Sequence, residues 1–198
     1  MERLSAPCGR VNCVAVGVVL RQYGCVVEVE VHDRLATAPS GELLTLYGDV
    51  YGGAPYWDGP ADVAEFAAEW DRLRTEPGIR LVLARAAAGV VGFGLGHVVE
   101  PDSGWWGGLA RDGGLGFGIA EFGVLAGWRG LGIARRLHDA LLAGRREGSA
   151  VLWVRADAPV ARAVYDSWGY RVVGTIERSP RYHVMCLDLV GREKMRHG

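Results

Sequence analysis

Residues 127 to 144, GWRGLGIARRLHDALLAG, set Gly130 and Gly132 two apart at the mouth of an evident helix. The first amides of a helix have no acceptor within it. Together with the positive end of the helix dipole they form an anion site, and glycines there let a ligand approach the backbone closely. Capture of an anionic group is therefore the first chemistry this stretch implies. Two common phosphate-binding designs do not fit. A dinucleotide fingerprint needs glycine or alanine where this chain has Arg135, and a Walker loop needs Gly-Lys-Ser/Thr, which the chain lacks. Lys194 is the only lysine, which argues against both Schiff-base chemistry and a phosphate-loop lysine. Ile133, Leu137, Ala140 and Leu141 recur at helical spacing and read as core.

Composition bounds what surrounds this helix. The 198 residues, nearly half of them apolar, suffice for one domain with its own core. No apolar run approaches the ~18 residues of a membrane span, and the first ten residues lack a signal-peptide core. The expectation is a cytoplasmic protein with no membrane partner. The four cysteines, Cys8, Cys13, Cys25 and Cys186, have no metal-ligand spacing and read as reduced thiols, so no metal is expected. A net charge of −1 carries no basic signature for nucleic acid. The charge is unevenly placed, however. Ten carboxylates from Glu28 to Asp71 face one strong base, Arg34, whereas seven arginines from Arg129 to Arg162 outnumber three acids. The second half suits an anion and the first a cation, unless both are simply solvated faces.

The elements that must position the glycine helix follow from periodicity. Strands are expected at 11–20 and 25–32, joined through Gln22-Tyr23-Gly24, then a short helix ending in Gly52-Gly53 and a turn at 55–59. An amphipathic helix follows from Pro60, with Val63, Phe66, Ala67 and Trp70 on one face and Pro77-Gly78 as its stop. Two strands turn near Ala88-Gly89, and a glycine-rich loop carries Trp105 and Trp106. A strand at 117–125 leads to the helix, placed at 129–146, then come a strand at 149–156, a helix at 159–168 and a final strand pair. The order describes one α/β domain of α+β type over 1–190 around a central sheet, with 191–198 as a frayed tail. No repeat or long linker interrupts it.

VLAGWRGLGIARRLHDAL fits R-x-x-G-x-A through Arg129, Gly132 and Ala134. It resembles the acyl-CoA-binding signature of the GNAT superfamily of N-acetyltransferases, here spanning 121–146. About fifteen residues on, within 151–177, RADAPVARAVYDSWGYRVVG resembles the second signature of that family through Tyr165, Gly169 and Tyr170, with Asp157 where the family often has asparagine. The likeness covers 79–190. It implies a mixed, mostly antiparallel sheet flanked by helices, here with an extra N-terminal strand, and acetyl-CoA or another acyl-CoA as co-substrate. The amides of Gly130, Leu131, Gly132, Ile133 and Ala134 would hold its pyrophosphate, with Arg129 adding charge. Gly132 and Ala134 matter by being small. Arg135 and Arg136, one turn in, each either reach a phosphate or face water. The strand carrying Phe122, Gly123, Val124 and Leu125 would be bulged and splayed, with Val124 pairing to the pantetheine arm and Gly123 suited to the bulge.

The reaction implied is attack of an amine on a thioester. An alkyl amine with a pKa of about 10.4 is protonated at neutral pH, so a base is needed, and the leaving sulfur benefits from an acid. By family position Tyr165 is the acid. Glu121 is the favoured base, directly or through water, and His97 the reserve. If strict alternation holds, Glu121 and Gly123 share one face and Phe122 and Val124 the other, a count that a bulge would break. Trp105 and Trp106 either cover a ligand or fold back on the core. Tyr51, Tyr56 and Trp57 line the expected mouth and, with Asp58, suit a cationic amine. The expected reaction is direct transfer to a small amine-bearing molecule in a ternary complex. The competing readings are transfer to a peptide or protein, and a non-catalytic acyl-CoA-binding module. A sheet edge at either terminus would suit a homodimer.

Overall fold

The computed structural model describes residues 16–17, 26–35, 40–108 and 114–189. The Cys8, Cys13 and Cys25 thiols, the 22–24 turn and the 191–198 tail lie outside the described residues. Among the described residues, eight strands form one sheet: β1 (Val16–Gly17), β2 (Glu28–His32), β3 (Arg80–Ala86), β4 (Gly89–Val99), β5 (Gly116–Val124), β6 (Ser149–Arg155), β7 (Arg171–Ile176) and β8 (Tyr182–Asp188). Their order is β1-β2-β3-β4-β5-β6-β8-β7, and every neighbouring pair is antiparallel except β5 with β6. The mixed, mostly antiparallel sheet agrees with expectation. Of the N-terminal strand expected at 11–20, the described part is β1, which pairs with β2.

Among the described residues, four α-helices cover the sheet: α1 (Ser40–Tyr51), α2 (Pro60–Leu73), α3 (Ile133–Leu142) and α4 (Pro159–Ser167). α1 and α2 pack on one face. There Leu43, Leu46, Val50, Phe66, Trp70 and Leu73 meet Leu81, Leu83, Phe93 and Leu95. α3 and α4 pack on the other, where Ile133, Leu137, Leu141 and Ala158 meet Val82, Phe117, Ile119, Val124 and Leu152. Burial of each large apolar side chain contributes roughly 1.5–3 kcal/mol. Among the described residues, no helix is long and apolar enough to cross a membrane.

Two local departures from the expected pattern set the site. α3 is shorter than 129–146. Gly130 and Gly132 have φ of +76° and +75°, outside the right-handed helical region, so the helix cannot begin before Ile133. Extended Ala143 and left-handed Gly144 end it. The second departure is the bulge. Leu95 pairs with Glu121 but Gly96 pairs with Ile119, leaving Ala120 as the extra residue in β5. The bulge thus falls at Ala120, three residues before the expected Gly123, which pairs regularly with Phe93. Glycine at 123 serves contact instead: a Cβ there would stand 2.3 Å from Val50 Cγ1 of α1.

Candidate active site

The bulge reverses the parity of β5. Before it, Phe117 and Ile119 face α3 and α4, and beyond it Phe122 and Val124 do. Glu121 therefore joins its partner Leu95 on the α1–α2 face. Without the extra residue, Glu121 would follow Phe117 and Ile119 into the opposite core. The same point ends the parallel pairing of β5 with β6, whose last register pair is Ile119 with Leu152. Beyond it the two strands part, and two adjoining cavities occupy the gap.

The larger, of about 730 Å³, runs from the splayed end of β5 to the start of α3 and along α4. Phe122, Gly123 and Val124 line it, as do Trp128, Arg129, Gly130, Gly132, Ile133, Ala134 and Arg135. A Cβ on either Gly130 or Gly132 would meet open space, so backbone conformation requires the glycines and the room beside them is free for a ligand. The amides of Ile133, Ala134 and Arg135 open α3, and the first intrahelical bond runs from Arg136 N–H to the Gly132 carbonyl. Leu125 and Leu131 pack against the core behind this rim. Arg129 Nε donates to the Val124 carbonyl at 2.9 Å, tying the loop to the strand. Arg135 pairs with Asp139, while Arg136 reaches the Val27 carbonyl and so serves the sheet.

The smaller cavity, of about 310 Å³, lies across the splay. Glu121 borders it from the α1–α2 side and Tyr165 from α4. Tyr51, Tyr56, Phe122 and Tyr165 line both cavities, so the two share a wall. Tyr165 is held by the second signature. Tyr170 N–H donates to the Tyr165 carbonyl, Gly169 takes φ of +93°, and the buried Tyr170 hydroxyl shares a 3.0 Å hydrogen bond with His138 Nε2 of α3.

Burial raises the Glu121 carboxyl to about 7, with a bond from the Tyr51 hydroxyl lowering it and the nearby Asp58 and Glu69 raising it. Glu121 keeps a partial opening to the cavity and is otherwise enclosed by protein. The Tyr51 and Tyr165 phenols are pushed above the ordinary range, chiefly by burial, and stay protonated. Asp58 accepts a 3.2 Å bond from Tyr47, and burial raises its carboxyl. A carboxylate titrating near neutrality beside a protonated phenol suits proton removal on one side and donation on the other.

The remaining expected residues divide. Tyr56, Asp58 and Trp105 line the smaller cavity. Trp106 is buried, with its indole N–H on the Glu100 carbonyl, and belongs to the core. Trp57, 72 % exposed with φ of +58°, lines neither cavity. His97 is buried beside Trp105, its pKa lowered by desolvation, and also lines neither. Asp157 forms a two-pronged pair with Arg155 at 2.9 and 2.6 Å. Sequence reasoning missed Tyr47, Trp153, Arg178 and Tyr182, which complete the smaller cavity. Apolar periodicity accounts for the aromatics as core, and only the strand order, with β8 between β6 and β7, brings Tyr182 and Arg178 to the splay.

Residues 43–170 match the model of the acetyltransferase (GNAT) family. The chain belongs to that family. It is thus an acyl-CoA-dependent N-acetyltransferase by family, and the groove at the start of α3 has the glycine cradle and free amides that a pyrophosphate requires. No curated protein matches it in sequence. Among solved structures, it is similar to NAA60 of Arabidopsis thaliana in complex with acetyl-CoA (TM-score 0.63, 15 % identity, 83 % of this chain and 99 % of that one). The ribosomal-protein-S18-alanine N-acetyltransferase of Escherichia coli aligns with a TM-score of 0.58 at 15 % identity, over 81 % of this chain and 93 % of that one. PH1933 of Pyrococcus horikoshii aligns at 0.60 and 20 % identity, over 81 % and 98 %. At these identities the likeness concerns the fold.

Proposed function

We propose that this acetyltransferase moves the acetyl group of acetyl-CoA directly to the amine of a small molecule while both are bound. The observation that carries this reading is the shared border of Glu121 and Tyr165 on one 310 Å³ cavity at the splay, against the groove that begins at α3. That volume suits a molecule of amino-acid size, and its lining is aromatic, with the carboxylates of Glu121 and Asp58 on the α1–α2 side.

The co-substrate supplies an activated acetyl thioester. The Gly130-to-Ala134 backbone and Arg129 hold the pyrophosphate end, and the splayed strand from Phe122 to Leu125 lies along the arm. Glu121, with its carboxyl near 7, takes the proton from the amine, directly or through water. Tyr165 keeps its proton because burial disfavours the phenolate. The same desolvation raises the proton affinity of a sulfur leaving beside it, so the phenol donates there. Asp58 and the aromatic walls orient the cationic form of the acceptor before deprotonation.

The test is turnover of acetyl-CoA with a panel of small primary amines and with short peptides, read as free thiol released. Release with small amines, reduced about 100-fold or more in Glu121→Gln and Tyr165→Phe, supports the reading. Release with peptides alone favours a peptide acceptor, and tight acetyl-CoA binding without release on any acceptor favours a binding module.

A further inference from the structure

The smaller cavity is electrically divided. Its α1–α2 wall carries Glu121 and Asp58, while its β6–β8 wall carries Arg155 and Arg178. Arg155 is neutralised within the wall by its two bonds to Asp157. Arg178, on the turn between β7 and β8, has no carboxylate partner among the described residues; its neighbour Glu177 pairs with Arg181 instead. Two rings hold it over the cavity: its guanidinium stands 5.2 Å from the Trp153 centroid and 5.0 Å from that of Tyr182. A guanidinium set against aromatic rings rather than a carboxylate keeps N–H groups free for a planar or tetrahedral anion.

A simple cationic amine uses only the acidic wall and leaves Arg178 against the ligand's apolar body. We infer that the acceptor is a zwitterion, an amine that also carries a carboxylate or phosphate-type group, with its nitrogen toward Glu121 and Asp58 and its anion on Arg178. This rests on the acetyl-transfer reading and names its substrate class. The aromatic lining between the walls takes the ligand's body, so compact amino acids with an apolar side chain fit best. Placing the anion on Arg178 also fixes the amine at the opposite wall, where Glu121 stands at the splay.

The test uses phenylalanine, its aminophosphonate analogue, phenylalaninamide and phenethylamine. Each is titrated by calorimetry into the protein saturated with desulfo-CoA, and each is then assayed with acetyl-CoA. The two zwitterions bind about 10-fold or more tightly than the two probes without an anion, and Arg178→Gln removes that preference. A stronger response to one zwitterion than to the other identifies carboxylate or phosphate as the natural group. Equal binding of all four probes, no binding of either zwitterion, or an unchanged preference in Arg178→Gln overturns the inference. The acetyl-transfer reading is judged separately, by binding of acetyl-CoA alone and by acetyl transfer to any of the four amines.

Discussion

The Tyr51 hydroxyl lies 3.3 Å from both the amide nitrogen and the carbonyl oxygen of Phe122, the residue after Glu121 on the splayed strand. The amide donates to the hydroxyl, whose single proton has two acceptors, the Phe122 carbonyl and the Glu121 carboxylate. An ionised Glu121 is the better acceptor, and a protonated Glu121 releases the hydroxyl to the carbonyl. One side chain from α1 thus ties the proposed base to the backbone that lines the co-substrate groove.

Removing that bond moves the base. The Tyr51 hydroxyl lowers the Glu121 pKa, so Tyr51→Phe raises it above its already elevated value. The acid limb of the pH profile for kcat/KM, expected near 7 in the wild type, then moves to higher pH, and activity at pH 7 falls by about 10-fold. A profile whose acid limb does not move would detach Tyr51 from Glu121.

Glu121 also makes stability depend on pH. Its carboxyl rises from 4.5 to about 7 in the folded chain, so the folded state binds the proton more tightly. That stabilisation is complete below about 4.5 and is lost as pH rises to about 7. Glu121→Gln, which does not titrate, therefore gains Tm relative to wild type between pH 5 and pH 8. Melting both proteins across this range checks the sign.

At Gly132 two substitutions separate strain from repulsion. Both place an L side chain at φ of +75°, which costs about 1–2 kcal/mol of stability. The Cβ meets open space, so Gly132→Ala folds and retains weakened acetyl-CoA binding. Gly132→Glu brings a carboxylate to the same place and loses about 100-fold or more in affinity at similar stability. Calorimetry paired with thermal melts resolves the two effects.

Gly123→Ala tests the contact of α1 with β5. The new Cβ stands 2.3 Å from Val50 Cγ1, so α1 must shift, at a cost of about 1–3 kcal/mol. The shift also displaces Tyr51, one residue on from Val50, and lowers kcat. Adding Val50→Ala clears the contact and recovers part of both, measured as a double-mutant cycle.

The glycine-flanked helix and the tyrosine signature were legible because each rests on local constraints. Gly130, Gly132 and Gly169 all take positive φ, a demand written in residue type alone. The bulge was not legible at its true place, because Ala120 carries no turn or bulge signal while Gly123, chosen for close packing, does. Trp105 and Trp106 are adjacent and alike in sequence. The core takes Trp106 because Gly116 leaves room for its indole, and Trp105 lies over Gly118 at the cavity. Tyr51 reads as one more apolar position of a short helix, and only the fold brings its hydroxyl to residue 122, seventy-one positions away. Arg178 needed the inverted order of β7 and β8 before it could be placed at the cavity.

Titration of the wild-type protein and Gly132→Glu with acetyl-CoA by calorimetry reports whether the co-substrate sits at the start of α3. The expected result is micromolar binding by the wild type at one site and loss of most of that affinity in Gly132→Glu, with the variant still folded. No binding by the wild type, or binding that Gly132→Glu leaves unchanged, would contradict the placement of the co-substrate at the start of α3.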